Sequence, residues 1–278
     1  MTKITRDSVV DATIHILKQA ETTLPDDVVD ALKSAGQVES NPLARSQINA
    51  VLQNIDIARK HKIPMCQDTG ILIFYVKLGR KLALDFDIKD AIEEGVRYAT
   101  DTIPLRPNAV DPITRKNSGD NTGAGIPDIK YELVNGSKLT ITVAPKGAGS
   151  ENMSALRMFN PTEVDNIKKF AVETVLNAGG KPCPPVILGV GIGGSFDKAP
   201  RLAKSALMEN VNDMDEFERD ILDGINSLGI GPMGIGGDTT ALAVRVKKSY
   251  CHTASLPVAV NIQCWANRHA SITLDGDK

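Results

Sequence analysis

A change of hydrophobic period near residue 62 limits what this chain can fold into. Before it, apolar residues recur at helical spacing; after it, they gather into short runs of β character separated by amphipathic stretches. Asp7 or Ser8 is placed to cap a first helix reaching about Ala20, with Val9, Val10, Ile14, Ile16 and Leu17 on its pattern. Pro25-Asp26-Asp27 opens a second helix, with its acids in the first turn, where the helix dipole favours them. A third helix is predicted from Asn41-Pro42 to about Lys60.

Beyond the change, residues 71–76 predict a strand and residues 87–100 a helix. Residues 131–134 and 138–143 flank Asn135-Gly136, a strong hairpin signal. A helix over 161–177 should end at Gly179-Gly180. Then come a buried strand at 186–190, helices at 196–208 and 214–228, and closing strands at 240–246 and 258–262. The expected fold class is α+β (mixed α/β). A helical N-terminal lobe (1–62) packs on a core of mixed β-sheet with surrounding helices (63–278), the two forming one continuous domain over 1–278.

Composition closes several routes to function. Lys and Arg total 32 against 34 Asp and Glu, a net charge of −2, which gives no electrostatic case for nucleic acid or an anionic membrane surface. Aromatic residues are only 4% of the chain, few platforms for stacking on single strands. The apolar run at 71–76 is far short of the ~20 residues that cross a bilayer. Charges interrupt the opening segment, so it does not read as a signal peptide. The expected location is cytoplasmic, where thiols stay reduced and cysteines serve as metal ligands or buried side chains rather than disulfides.

Gly189, Gly191 and Gly194 match the G-x-G-x-x-G pattern between a strand and a helix, the best case for a dinucleotide-binding oxidoreductase. Three features oppose it. Gly229, Gly231 and Gly234 repeat the spacing around Pro232 with no helix following. The acid about twenty positions on is Glu209, at a helix end rather than a strand tip. The run also starts two-thirds of the way along the chain, where such fingerprints usually open a domain. Tight packing is the plainer account.

None of the four cysteines (Cys66, Cys183, Cys251, Cys264) has a C-x2-C partner, so spacing alone says little, and burial as small hydrophobes is the ordinary fate. Context separates them. Cys66 opens the polar turn Cys66-Gln67-Asp68-Thr69-Gly70, Cys183 sits among Pro182, Pro184 and Pro185, and Cys264 precedes Trp265-Ala266-Asn267-Arg268. Cys251 ends a β pattern beside His252 and is most readily assigned to the core. Three thiolates could hold a four-iron cluster and leave one iron open, where four would saturate it.

These motifs resemble the class I, iron–sulfur-dependent fumarases and the related L-tartrate dehydratases. The resemblance runs in order over most of the chain, through Cys66-Gln67-Asp68-Thr69-Gly70, Leu105–Val110 (LRPNAV), Asn121-Thr122-Gly123 and Pro145–Asn152 (PKGAGSEN). It continues through Cys183-Pro184-Pro185, Gly189–Gly193 (GVGIG), Gly231-Pro232, His252 and Cys264–Arg268. It implies that Cys66, Cys183 and Cys264 hold a 4Fe–4S cluster with one iron that no cysteine ligates. It implies substrate contacts at Gln67, Arg106 and Gly149, and proton transfer by Asp68 and His252. Cys251 matches no ligand. Ala148 stands where many relatives have glycine.

Each residue type suits the task so implied. Arg106 offers a permanent, forked charge to a carboxylate, Gly149 allows close backbone approach, and Gln67 orients a carboxylate without changing the charge. Asp68 and His252 can exchange protons at a departing hydroxyl. On their own residues they would read as a turn former, a core histidine and, for Arg106, a surface ion pair.

Relatives made as one polypeptide carry a further C-terminal module with the base for the carbon-bound proton. The resemblance therefore implies an α subunit, active only with a β subunit in an α2β2 assembly, acting on a C4-dicarboxylate. The expected reaction is reversible dehydration of (S)-malate to fumarate. Lys146–Asn152 and Pro107 favour that substrate over tartrate, and a mesaconate hydratase is the other alternative.

Overall fold

A computed structural model describes residues 4–276; the termini of the two predicted segments, 1–3 and 277–278, lie outside the described residues. The chain divides into two compact units, each drawn from discontinuous stretches: residues 4–24, 55–146 and 268–276 form one, and residues 25–54 and 147–267 the other.

In the first unit, α1 (Arg6–Thr22) is capped by Thr5, whose hydroxyl accepts the Ser8 amide at 3.2 Å while Ser8 Oγ accepts the Thr5 amide at 3.0 Å. The cap thus precedes both residues predicted for it. Ser8 is the reciprocal member of a capping box, and Asp7 lies in the first turn. Val9, Val10, Ile16 and Leu17 face the core beside Ile92 and Val96 of α4 (Ile88–Thr102), which Asp87 caps by accepting the Lys89 amide. The helices meet at Gly95, where a Cβ would stand 2.6 Å from the Thr13 Cβ.

The sheet of this unit has the order β2-β1-β3-β8, from β1 (Ile71–Gly79), β2 (Asp128–Val134), β3 (Lys138–Lys146) and β8 (Ala270–Asp275). This order overturns the predicted hairpin. β2 and β3 do not pair; β1 lies between them, parallel to β2 and antiparallel to β3. The Asn135-Gly136 segment instead crosses the end of β1, where the Arg80 amide donates to the Val134 carbonyl and the Lys81 amide to the Gly136 carbonyl. Leu72, Phe74 and Val76 on the central strand are buried with Leu139, Ile141 and Val143 on β3. A strand with two such neighbours buries more apolar surface than an isolated hairpin could.

The second unit carries a sheet in the order β4-β7-β5-β6: β4 (Ala155–Phe159), β5 (Val186–Ile192), β6 (Ala241–Lys248) and β7 (Leu256–Gln263). β5 pairs parallel with β6 and antiparallel with β7. Its first six residues are all buried, as expected of a strand covered on both faces. The helices are α2 (Asp26–Val38), α3 (Pro42–His61, which begins here), α5 (Ala148–Glu151), α6 (Asn166–Ala178), α7 (Lys198–Ala206) and α8 (Glu216–Asn226). The helix predicted from 161 is interrupted: Asn160 and Glu163 cap a separate 3-10 turn (Pro161–Glu163) before α6 begins. β4 and β8 were not predicted. They are short, partly exposed edge strands with weak alternation. The mixed α+β class is the one observed. No helix among the described residues is long and apolar enough to cross a membrane.

Candidate active site

The Cys66 turn joins α3 to β1 and is held on all sides within the first unit. Thr69 and Gly70 are buried, Cys66 and Asp68 half-buried, and Gln67 is exposed. Asp68 Oδ1 accepts the Gly70 amide at 2.9 Å and Asn108 Nδ2 at 3.3 Å. The carboxylate does close a turn, yet it is also fixed from a distant loop. Gly70 has φ +76°, and a Cβ there would lie 2.7 Å from the Lys146 nitrogen, so the turn requires glycine.

Arg106 is tied to this turn through its main chain. Its carbonyl accepts Thr69 Oγ1 at 3.2 Å and Asn121 Nδ2 at 3.1 Å, while the Asn108 amide donates to Asn121 Oδ1 at 2.7 Å. The buried Asn121 thereby anchors the loop, whose own backbone pairing is confined to isolated bridges and turns. The Arg106 side chain is exposed and forms no ion pair among the described residues, so the ordinary surface-bridge account does not hold here. Asn108 and Asn121 lie inside motifs quoted above, but nothing in their spacing gave them this anchoring role.

Two buried charges stand behind the turn. Arg268 and Glu21 side chains are 1% and 0% exposed, with Arg268 Nη1 donating to Glu21 Oε2 at 2.6 Å. Arg268 Nη2 donates to the Asp68 carbonyl at 2.8 Å, and the Met65 amide donates to the Glu21 carbonyl at 3.0 Å. Burial pushes the Glu21 carboxyl up to about 7 against the opposing pull of Arg268.

In the second unit, Cys183 is exposed on a backbone with φ +54°, a region costly for a residue with a side chain. Buried Pro182, Pro184 and Pro185 surround it, and the Cys183 amide donates to the Gly180 carbonyl at 3.2 Å. The Trp265 amide donates to the Cys183 carbonyl at 3.5 Å, so the structure joins the segments of Cys183 and Cys264. Cys264 is half-buried, and its Sγ faces the Ala266 carbonyl at 3.9 Å. Cys66 belongs to the other unit. Four residues along the chain from Cys264 stands Arg268, which grips Asp68.

Cys251 corrects its core assignment: it is exposed in the loop after β6, as is His252. His252 Nδ1 accepts the Ala254 amide at 3.1 Å, which leaves Nε2 to carry the proton in the neutral ring. Gly149, in α5, is exposed. A Cβ there would meet only the Lys181 carbonyl oxygen, at 3.4 Å, an ordinary contact, so packing does not demand glycine.

Three glycines of these runs are packed against backbone. A Cβ on Gly189 or Gly191 would stand 2.0 Å from the carbonyl oxygen of Ala203 or Ala199, because α7 lies directly on β5. A Cβ on Gly231 would collide with the Gly236 carbonyl at 2.2 Å. Close packing of α7 on β5 therefore accounts for Gly189 and Gly191.

Among the described residues no three His, Cys, Asp or Glu side chains gather closely enough to hold a single metal ion. A cluster of several irons and sulfides would bridge wider gaps than one ion does. The donor set suits such a group: none of the four cysteines is in a disulfide, all stand on non-periodic backbone, and Cys183 is held exposed in a strained conformation.

A half-buried thiol and an anchored carboxylate share one braced turn of the first unit, and two further cysteines stand on joined segments of the second, the residue types of an enzyme site. The chain belongs to the fumarate hydratase (Fumerase) family, whose model matches residues 10–273. It is 44% identical over 271 residues to a Methanocaldococcus jannaschii protein named "Putative L(+)-tartrate dehydratase subunit alpha", covering 94% of this chain and 95% of that one. It is 31% identical over 264 residues to the L(+)-tartrate dehydratase subunit alpha of Escherichia coli (strain K12), covering 92% of this chain and 87% of that one.

Proposed function

We propose that this chain is the α subunit of a two-subunit hydro-lyase that interconverts (S)-malate and fumarate, with Cys66, Cys183 and Cys264 holding a 4Fe–4S cluster. The family match over residues 10–273 carries this reading, and the braced Cys66–Asp68 turn supports it. Such a cluster, when bound through three cysteines, supplies an open iron that polarises the substrate hydroxyl as a Lewis acid.

The chain's own residues do the rest. Arg106 receives one substrate carboxylate in its fork, and Gln67, exposed beside Cys66, orients it through neutral hydrogen bonds. The Gly149 amide approaches the substrate because no side chain stands in front of it. Asp68 Oδ1 takes two hydrogen bonds, which fix the carboxylate in place to exchange a proton at the leaving hydroxyl. His252 presents Nε2–H outward as a second donor. The carbon-bound proton requires a base from the β subunit, in an α2β2 assembly expected in the cytoplasm.

Arg106→Lys should raise KM for malate by roughly tenfold while changing kcat less, because a point charge cannot grip both carboxylate oxygens. Gly149→Ala should leave the melting midpoint within about 1 °C yet cost roughly tenfold or more in kcat/KM, as expected where packing is indifferent to a Cβ and a substrate is not. Steady-state kinetics and calorimetry check both.

L-tartrate is the second reading, favoured by the names of the relatives. Malate is placed first on Lys146–Asn152 and Pro107. Anaerobic co-expression with a candidate β chain, followed by dehydration assays on malate, tartrate and citramalate, decides among them. Preference for tartrate would move the assignment to the second reading, and preference for citramalate would make the enzyme a mesaconate hydratase. No dehydration of any of the three by a cluster-loaded complex would overturn the function.

A further inference from the structure

We propose that Glu21 and Arg268 form a buried clamp that positions the Cys66–Asp68 turn, making Arg268 a positioning residue for both the Cys66 thiol and the Asp68 carboxylate. The inference rests on the function proposed above and deepens it.

The turn is seized at both ends from one residue of α1. The Glu21 main-chain carbonyl takes the Met65 amide at 3.0 Å, just before Cys66. The Glu21 side chain holds Arg268, whose second nitrogen takes the Asp68 carbonyl at 2.8 Å, just after Gln67. Cys66 and Gln67 are thus suspended between two fixed points with no hydrogen-bonded secondary structure of their own.

A stabilising role alone is a poor explanation for the pair. Replacing a buried ion pair by apolar side chains of similar volume is often neutral or favourable, so bulk stability does not account for placing charges at 0% and 1% exposure. Arginine presents Nη1 and Nη2 as separate donors in a fixed planar fork, one to the carboxylate and one to the main-chain carbonyl, whereas lysine's donors radiate from a single nitrogen on a flexible stem. Glu21 Oε1 has no hydrogen-bond partner among the described residues, so the carboxylate is committed to its single task on Arg268. The buried Arg268 side chain in turn backs the turn from its inner side, leaving Gln67 exposed outward.

The test uses Arg268→Lys and Glu21→Gln in the full chain and in the assembled enzyme. In the metal-free chain, site-resolved iodoacetamide labelling should show Cys66 reacting roughly fivefold faster in Arg268→Lys, while exposed Cys183 and Cys251 stay within about twofold of wild type. Glu21→Gln keeps an acceptor for Arg268 and should speed Cys66 by only about two- to threefold. In the assembled enzyme, Arg268→Lys should cut kcat by about tenfold or more with KM within about twofold, the signature of a displaced reacting group rather than a lost contact.

Unchanged Cys66 labelling in Arg268→Lys, or a kcat loss that only tracks the folded fraction, would overturn the clamp. Should Arg268→Lys fail to fold, Glu21→Gln decides by the same labelling ratio, a rise supporting the clamp and no change removing it. A wild-type complex that dehydrates none of the acids overturns the proposed function while the labelling result still judges the clamp. An active wild type with flat labelling removes the clamp alone.

Discussion

Cys66→Ser, Cys183→Ser and Cys264→Ser should each strip iron and sulfide from the anaerobically assembled enzyme and lower activity by roughly a hundredfold or more, while Cys251→Ser stays within about twofold. The contrast is informative because exposure does not separate the four: Cys183 and Cys251 are both exposed, and Cys66 and Cys264 both half-buried. What distinguishes the first set is backbone. Cys183 is held at φ +54° between buried prolines and bonded to the residue after Cys264, and Cys66 lies in the turn braced by Arg268. Cys251 lies at a negative φ in the loop after β6. Iron and acid-labile sulfide assays on the four variants provide the measurement. Loss of the cluster from Cys251→Ser with retention in any of the other three would reverse the ligand assignment.

The second large effect falls on stability. Gly191→Ala should destabilise the protein by about 3 kcal/mol or more, lowering the melting midpoint by roughly 5–10 °C, because its Cβ would stand 2.0 Å from the Ala199 oxygen and 2.6 Å from the Ala203 nitrogen. Both are helix backbone, which cannot swing aside as a side chain can, so α7 must lift from β5 or the strand must yield. Gly123→Ala is the control: no atom lies within 4 Å of its Cβ, and its backbone is outside the left-handed region, so its midpoint should hardly move. Were Gly191 instead kept free for a nucleotide phosphate, alanine would leave the midpoint unaltered and weaken cofactor binding. A thermal melt of Gly191→Ala indistinguishable from wild type would sink the packing account.

Much of this was legible locally. The three N-terminal helices begin and end within a few residues of where capping, proline and period placed them, and β5 was evident as an unbroken apolar run. The thiols, Asp68, Arg106 and His252 could be selected as candidates only through the resemblance of their motifs to a family; their own residues alone read as core, turn and surface. The errors have equally local causes. Asn135-Gly136 carries a genuine turn signal, but no short-range pattern announces that β1 will be inserted between the strands it joins. β4 is too short and β8 too polar to stand out until a neighbour supplies hydrogen bonds. Cys251 looked like core because it follows an apolar alternation that stops before it.

The amino-acid order by itself determined the helical and β periods, the mixed fold class and the chemical donors available, since each follows from interactions within a few residues. Tertiary structure alone decided strand order, the burial of α7 backbone against Gly189 and Gly191, and the clamp. Glu21 and Arg268 are 247 positions apart, and Arg268 and Asp68 are 200 apart. A lone glutamate on a helix and an arginine at a motif's end advertise nothing individually. Their meaning arises when burial removes the water that would otherwise satisfy each charge and brings them to one another and to the Asp68 carbonyl.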